Sequence, residues 1–315
     1  MERRKVICVV GPTACGKTTL GVLLAKKYGG EVVSADSMQI YRGMTIGTAA
    51  PTEAEMQGVP HHMIAVADPA EQWSAARYAR AAVPIVDDIL RRGKRPILVG
   101  GTGLWLDAVV QGRTFAGGHA GGAVRRELQA QLAREGIGPL LEELRQVDPE
   151  AAERLHPADE KRILRALEVY RETGKTISAH NAETRDLPPR YDAVWIGLQF
   201  EERAEMKALI DRRVDAMVRS GLEEEVRALL QSGLPPSATA WQAIGYKEFL
   251  GVLEGTATME QAVAEVKLRS RQYAKRQLTW LRRNPDIHWI FWEKDRDFAR
   301  ALQISTEILS ASGLG

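Results

Sequence analysis

The residues Gly11-Pro12-Thr13-Ala14-Cys15-Gly16-Lys17-Thr18 spell G-x-x-x-x-G-K-[ST], a turn whose backbone amides can cradle a polyphosphate. Lys17 would reach the terminal phosphates, and Thr18 would hold Mg²⁺ through its hydroxyl. Such a turn works when a strand feeds it and a helix leaves it, because N–H groups and the helix dipole then converge on one point. The chain supplies both: an apolar run over 6–10 reads as a buried strand, and 18–27 reads as the start of a helix.

Two further stretches look chemical. Asp36-Ser37-Met38-Gln39 follows a β-rich run over 31–35, at the end where open parallel sheets bind ligands. Asp36 has three roles open to it: a cap for the next turn, a Mg²⁺ ligand of the nucleotide-hydrolase kind, or a general base facing the loop. The continuation from Gln39 to Ala49 is rich in Gly and polar residues and reads as a ligand-contacting loop. Val99-Gly100-Gly101-Thr102-Gly103-Leu104 ends another strand and opens a helix. Its glycines let backbone come close to a ligand, and Thr102 can offer a hydroxyl to a phosphate oxygen. His61-His62 does not read as a metal site, because neighbours in a strand point to opposite faces and no third ligand stands nearby. One of the pair is expected in the core and the other near the site.

These groups must be positioned by a sheet. Short β-rich runs recur at 6–10, 31–35, 62–66, 96–100, 193–199 and 288–292 between helical stretches, which implies an α/β fold with a mostly parallel sheet flanked by helices. Between 100 and 193 there is no strand signal. The glycine run Gly117 to Gly122 opens a charged helical stretch over 123–174, and Pro188-Pro189 closes a polar segment after it. The expected organisation is a phosphate-loop core over 1–115 and 191–315, interrupted by a helical insertion domain over 116–190. Beyond 193 the chain turns strongly helical, over 201–220, 222–232 and 258–283.

Bulk composition sets limits. The 315 residues are 44% hydrophobic, enough to bury a large core. Lys and Arg number 43 against 41 Asp and Glu, so global charge says nothing about nucleic acid. Only Cys8 and Cys15 are present, which excludes a disulfide framework and fits a reducing cytoplasm. No apolar run approaches a membrane span, and the charged N-terminus is not a signal peptide. A cytoplasmic monomer is the expectation, since no coiled-coil pattern or large apolar stripe calls for assembly.

Local charge is more telling. From Lys267 to Arg283 there are seven basic residues and no acidic ones, with Tyr273 and Trp280 on one helical face. A strip of one sign with aromatics points to a phosphate backbone. A second cluster, Lys161, Arg162 and Arg165, lies in the insertion, where pairing with Glu160 and Glu168 is a competing account.

With these residues in hand the chain resembles the tRNA dimethylallyltransferase family, which prenylates the adenosine beside the anticodon. The resemblance spans the whole chain. It rests on the loop from Gly11 to Thr18, on Asp36 to Gln39 with Ile46-Gly47-Thr48-Ala49, on Gly58-Val59-Pro60-His61-His62 and on Gly100 to Leu104. Arg162-Ile163-Leu164-Arg165-Ala166-Leu167-Glu168, Ala243-Ile244-Gly245-Tyr246-Lys247-Glu248 and Lys275-Arg276-Gln277-Leu278-Thr279-Trp280-Leu281-Arg282 complete it. The resemblance implies that Asp36 is the general base, that Thr102 contacts the pyrophosphate, and that Arg213 binds it together with the loop. It implies dimethylallyl diphosphate as donor, Mg²⁺ as cofactor and the anticodon stem-loop of tRNA as acceptor. It also assigns RNA contacts to Asp36, Ser37, Met38, Gln39 and Thr102; to Glu160, Lys161, Arg162, Ile163, Leu164 and Arg165; to Gln242, Ala243, Ile244, Gly245, Tyr246 and Lys247; and to Lys275, Arg276, Gln277, Thr279, Trp280 and Arg282. Gln39 is the candidate reader of an extruded base. Cys15 stands where the family has Ser, which makes the loop a candidate for oxidation. The rival readings are a small-molecule or nucleoside kinase, which shares the loop and sheet, and a prenyltransferase acting on free adenine nucleotides.

Overall fold

A computed structural model describes residues 4–112, 115, 122–185 and 187–314. The chain divides into two compact units, 1–110 with 189–315, and 111–188. In the first unit the order is β1 (Lys5–Val10), α1 (Lys17–Tyr28), β2 (Glu31–Ser34), α2 (Glu53–Met56), β3 (His61–His62), α3 (Ala75–Arg91), β4 (Pro96–Gly100) and α4 (Gly103–Val110). The second unit holds α5 (Ala123–Glu135), α6 (Ile137–Val147), α7 (Pro149–Arg154), α8 (Glu160–Thr173) and α9 (Ile177–Arg185). The first unit then resumes with β5 (Asp192–Phe200), α10 (Arg203–Arg219), α11 (Leu222–Gln231), α12 (Tyr246–Leu253), α13 (Met259–Leu281), β6 (Ile287–Trp292) and α14 (Phe298–Ala311).

The six strands form one sheet in the order β3-β2-β4-β1-β5-β6, and every pairing is parallel. From β1 the chain moves out toward β2 on one side, and β5 and β6 build the other. The order therefore reverses around β1, where such sheets open a ligand crevice beyond the strands' carboxyl ends. Alternation within β1 divides its side chains between two layers. Ile7 and Val9 join a core with Leu20 and Leu24 of α1 and Ala301 and Leu309 of α14. Cys8, between them, lies within electrostatic reach of Asp107 on α4 and of Tyr78 on α3, whose hydroxyl donates to the Ser34 carbonyl at 2.8 Å. Burial on both faces explains why these strands read as continuous apolar runs.

Two expectations change. The strand expected over 62–66 is only His61–His62, because Met63 (φ 63°) and Ala65 (φ 51°) adopt left-handed backbone that no strand accommodates. Neither histidine is near the crevice. His62 Nε2 bonds Glu31 Oε2 at 2.8 Å, at the amino end of β2, and His61 Nδ1 bonds the Val59 carbonyl. The helical stretch expected over 123–174 is four helices. Gly136 (φ 74°) separates the first two, and Asp148 with Pro149 starts the third. Their core is Leu128, Leu140, Leu144, Ile163 and Leu167. Of the glycine run expected as a linker, 117–121 lie outside the described residues. No helix among the described residues is long and apolar enough to cross a membrane.

Candidate active site

The phosphate loop forms as its spelling requires. Gly16 caps α1 at φ 94°, and Ala14 sits at φ 66°, so the backbone curls before the helix begins. Thr13, Ala14, Gly16, Lys17 and Thr18 line a cavity of about 730 Å³. Asp36 to Gln39, Thr45 to Ala50 and Arg213 line it as well. Gly11 and Pro12 lie buried behind the loop. Lys17 Nζ folds back to donate to the Pro12 carbonyl at 2.7 Å.

Cys15 points the other way, wholly buried in the hydrophobic core. Burial raises its thiol above the ordinary value, against a weaker pull from Lys17 and Arg213. A buried, protonated thiol is inert, so Cys15 acts as a core residue and not as an oxidisable edge of the loop.

Asp36 faces the cavity with one oxygen engaged. Oδ1 accepts from Met38 N at 2.9 Å and, more weakly, Gln39 N at 3.4 Å. The turn cap and a place at the cavity are therefore compatible: the backbone bonds fix the carboxylate through Oδ1 while Asp36 lines the cavity. Arg213, on α10, is close enough for Asp36 to support its charge, while burial pulls the guanidinium below its ordinary value. Among the described residues no carboxylate is in ion-pair contact with Arg213, so its charge is met only by the longer-range field of Asp36 and Glu55.

Several assigned residues do other work. Thr102 does not line the cavity. Its Oγ1 accepts from Ser37 N at 3.2 Å and shares a hydrogen bond with the Tyr273 hydroxyl, so it braces the Asp36 turn. Gln39 has its carboxamide committed: Oε1 accepts from Ser34 Oγ, and Nε2 donates to the Thr48 and Ala49 carbonyls. It stitches its own loop instead of presenting a free edge to a base. Gln277 is 5% exposed and accepts from Thr13 N at 2.8 Å. Ile163, Leu164 and Tyr246 are buried, and Ala243, buried as well, lines the cavity with Gln242, Ile244 and Gly245.

Exposed positions remain at Glu160, Lys161, Arg162, Gln242, Lys247, Lys275, Arg276, Thr279 and Arg282. Arg165 is paired with Glu168, as the competing account held, whereas Arg162 is paired with Asp159 and not with Glu160. The basic strip divides in two. Lys267, Arg269 and Arg271 are neutralised by Asp215, Glu265 and Asp211. Toward the carboxyl end, Arg276 lies over the Tyr273 ring and Arg283 over the Trp280 ring. Arg282 Nη2 reaches only Gln199 Oε1, at 3.5 Å.

Two residues with no motif complete the site. Arg296 lines the cavity beside the loop, contacts the Ala14 carbonyl at 3.5 Å and lies near enough to Arg213 for like-charge repulsion. Glu225, on α11, accepts from the amides of Thr45, Ile46 and Gly47 at 2.8–3.0 Å, from Thr45 Oγ1 and from the Tyr246 hydroxyl. It holds the cavity wall closed. Burial raises its carboxyl, and these donors more than offset that, leaving it below the ordinary value.

A family model described as IPP transferase matches residues 39–284. The tRNA dimethylallyltransferase of Pelotomaculum thermopropionicum is 43% identical over 308 residues, covering 98% of this chain and 96% of its own. That of Caldanaerobacter subterraneus subsp. tengcongensis is 46% identical over 288 residues, 91% of each chain. Among solved structures, the full-length tRNA isopentenylpyrophosphate transferase of Bacillus halodurans is similar at TM-score 0.73 and 40% identity, covering 99% of both chains. A eukaryotic dimethylallyltransferase acting on tRNA gives TM-score 0.82 at 30% identity, covering 98% of this chain and 80% of that one.

Proposed function

The chain belongs to the IPP transferase family, and on that premise we propose that it transfers a dimethylallyl group from dimethylallyl diphosphate to N6 of the adenosine beside the anticodon of tRNA, releasing diphosphate. One observation carries the reading: the Asp36 carboxylate and the unpaired Arg213 guanidinium line the same cavity as the phosphate loop. The site thereby calls for an anion and a proton donor side by side.

The adenine N6 lone pair is delocalised into the ring, and diphosphate leaves only when its growing charge is met. As the allylic C–O bond breaks, the loop amides and Arg213 would receive that charge, with Lys17 swinging off the Pro12 carbonyl on its flexible stem. As the N6–C bond forms, Asp36 Oδ2 would take the N6 proton, while Oδ1 stays on the Met38 amide. Thr102 acts by holding Ser37, and so the Asp36 turn, in place.

A magnesium ion fits here as a passenger of the diphosphate. Thr18 lines the cavity, and among the described residues no cluster of His, Cys, Asp or Glu would cage a cation. Magnesium keeps several waters and binds through few protein ligands plus phosphate oxygens, so Thr18 would hold it and the ion would add charge against the leaving group. The acceptor is assigned to RNA by the exposed cations and aromatic rings at the carboxyl end of α13. Exposed Lys161 and Arg162 in the insertion are candidates for further phosphate contacts. A cytoplasmic site of action agrees with two free cysteines.

The test offers labelled dimethylallyl diphosphate and Mg²⁺ with tRNA, with AMP, or with no acceptor. Label should enter tRNA alone; label in AMP, or phosphoryl transfer from ATP, would overturn the acceptor assignment. Asp36→Asn should bind the anticodon stem-loop normally and slow single-turnover transfer by about a hundredfold or more. Unchanged single-turnover chemistry would remove Asp36 as base.

A further inference from the structure

The helix that offers its cations to RNA also grips the phosphate loop. Gln277 is nearly inaccessible, and its Oε1 takes the Thr13 amide proton across 264 residues of sequence. That amide belongs to the diphosphate cradle, yet it is aimed by a side chain from α13. Three residues earlier, Ala274 packs against Ala14 of the same loop and against Ile210. Four residues earlier, the Tyr273 hydroxyl hydrogen bonds with Thr102 and with Gln277. Thr102 in turn holds the Ser37 amide beside Asp36. Thus one face of α13 reaches the turns that follow β1, β2 and β4.

The approach is close by construction. A β-carbon at Gly101 would collide with Gln277 Nε2, and one at Gly103 would collide with the Trp280 indole. Lys275 and Arg276 on α13, and Arg282 and Arg283 just past its end, are exposed and without carboxylate partners among the described residues; Arg276 lies over the Tyr273 ring and lines the same cavity, and Arg283 lies over the Trp280 ring. A helix bonded to the catalytic turns, with cations stacked on the aromatic rings beside those bonds, cannot be repositioned by a polyanion without moving those turns.

We propose that Gln277 is a positioning residue that couples RNA docking on α13 to the geometry of the diphosphate loop, with Tyr273 extending the link to the Asp36 turn. The inference rests on the RNA-acceptor reading above. A buried amide whose role was only to fill space would be replaced by methionine at little cost to function. A coupling residue would not, because the Thr13 amide would lose the acceptor that ties its direction to the helix.

The experiment measures binding of inorganic pyrophosphate with Mg²⁺ to the full chain, with and without an anticodon stem-loop RNA. RNA should tighten pyrophosphate binding in the wild type by about tenfold, within the usual range for coupled sites. In Gln277→Met the RNA should bind within about twofold of wild type, while its effect on pyrophosphate falls toward none. Gln277→Glu keeps the acceptor oxygen, so coupling should persist even though added negative charge weakens pyrophosphate overall. Should Gln277→Met fail to fold, Tyr273→Phe removes the hydroxyl alone and should reduce the coupling. Equal RNA enhancement in the wild type and in a folded Gln277→Met overturns the proposal, as does a wild type without enhancement. Absence of RNA binding to the wild type would instead overturn the acceptor reading itself.

Discussion

Glu225 offers the most direct test of how the cavity wall is held. Its carboxylate collects three backbone amides, one threonine hydroxyl and one buried tyrosine hydroxyl. The Thr45 contacts are exposed, so water replaces them at little cost. The contacts to Ile46 N, Gly47 N and the Tyr246 hydroxyl are partly buried. Taking about 1.5 kcal/mol for each of those three charge-assisted bonds gives about 4.5 kcal/mol for Glu225→Ala. Glu225→Gln keeps one acceptor and turns an amide toward the remaining donors, for about 2 kcal/mol. The wall segment is a loop and can detach before the sheet unfolds, so this difference should appear first as local opening. In Glu225→Gln, hydrogen exchange at the Ile46 and Gly47 amides should accelerate by about 30-fold, with a smaller change in the urea midpoint. The KM for the prenyl donor should rise, because the wall from Thr45 to Ala50 lines the cavity. Unaltered exchange at those two amides would refute the claim that Glu225 closes the wall.

Arg296→Met should weaken pyrophosphate binding by about tenfold, with Arg296→Lys recovering part of it and RNA affinity unmoved; unchanged pyrophosphate titrations would exclude Arg296 from the anion site. Neutralising Lys275, Arg276 and Arg282 together should lower the slope of log Kd against log salt for stem-loop RNA by about 2. Neutralising the ion-paired Lys267, Arg269 and Arg271 should change it far less, and equal effects would mean that the whole strip faces RNA. Glu31 is buried and bonded to Arg92, Lys94 and His62, and the Arg92 bond foremost holds its carboxyl far below the ordinary value. A lowered folded pKa contributes stability above the unfolded value of about 4.3 and loses it as pH falls through the folded pKa. Glu31→Gln should therefore be destabilised at neutral pH, and its deficit in denaturation midpoint should shrink below about pH 4; a deficit constant with pH would refute the assignment.

What could be read in the chain was what is local. The phosphate loop, the Asp36 turn and the Gly100 to Gly103 turn each pack their chemistry into a few neighbouring residues, so spelling alone locates them. The parallel sheet was legible because its strands are buried on both faces. The strand expected over 62–66 was not, because apolar composition does not reveal the left-handed backbone of Met63 and Ala65. The strip from Lys267 to Arg283 looked uniform because the acids that neutralise part of it, Asp211 and Asp215, are on α10. Motif spelling also carries core positions along with surface ones: Ile163, Leu164 and Tyr246, in stretches that the resemblance assigns to RNA, are buried.

The contacts that spelling did not reveal share a cause. Glu225 holds a loop 178–180 residues away, Gln277 an amide 264 away, and Arg296 a carbonyl 282 away. No spacing rule covers such distances, because the pairing is created by the sheet order around β1. The fold itself thus selects which distant side chains matter. A strand order that reverses at β1 opens a crevice at the carboxyl ends, and whatever follows β5 and β6 must pass its rim. Arg213 follows β5 and Arg296 follows β6, so both cations arrive where the loop amides already point. Two like charges kept together with only the longer-range field of Asp36 and Glu55 against them oppose folding of the empty protein, and an anion shared between them removes that opposition. The site is consequently one that the fold leaves under-compensated until its ligand is bound.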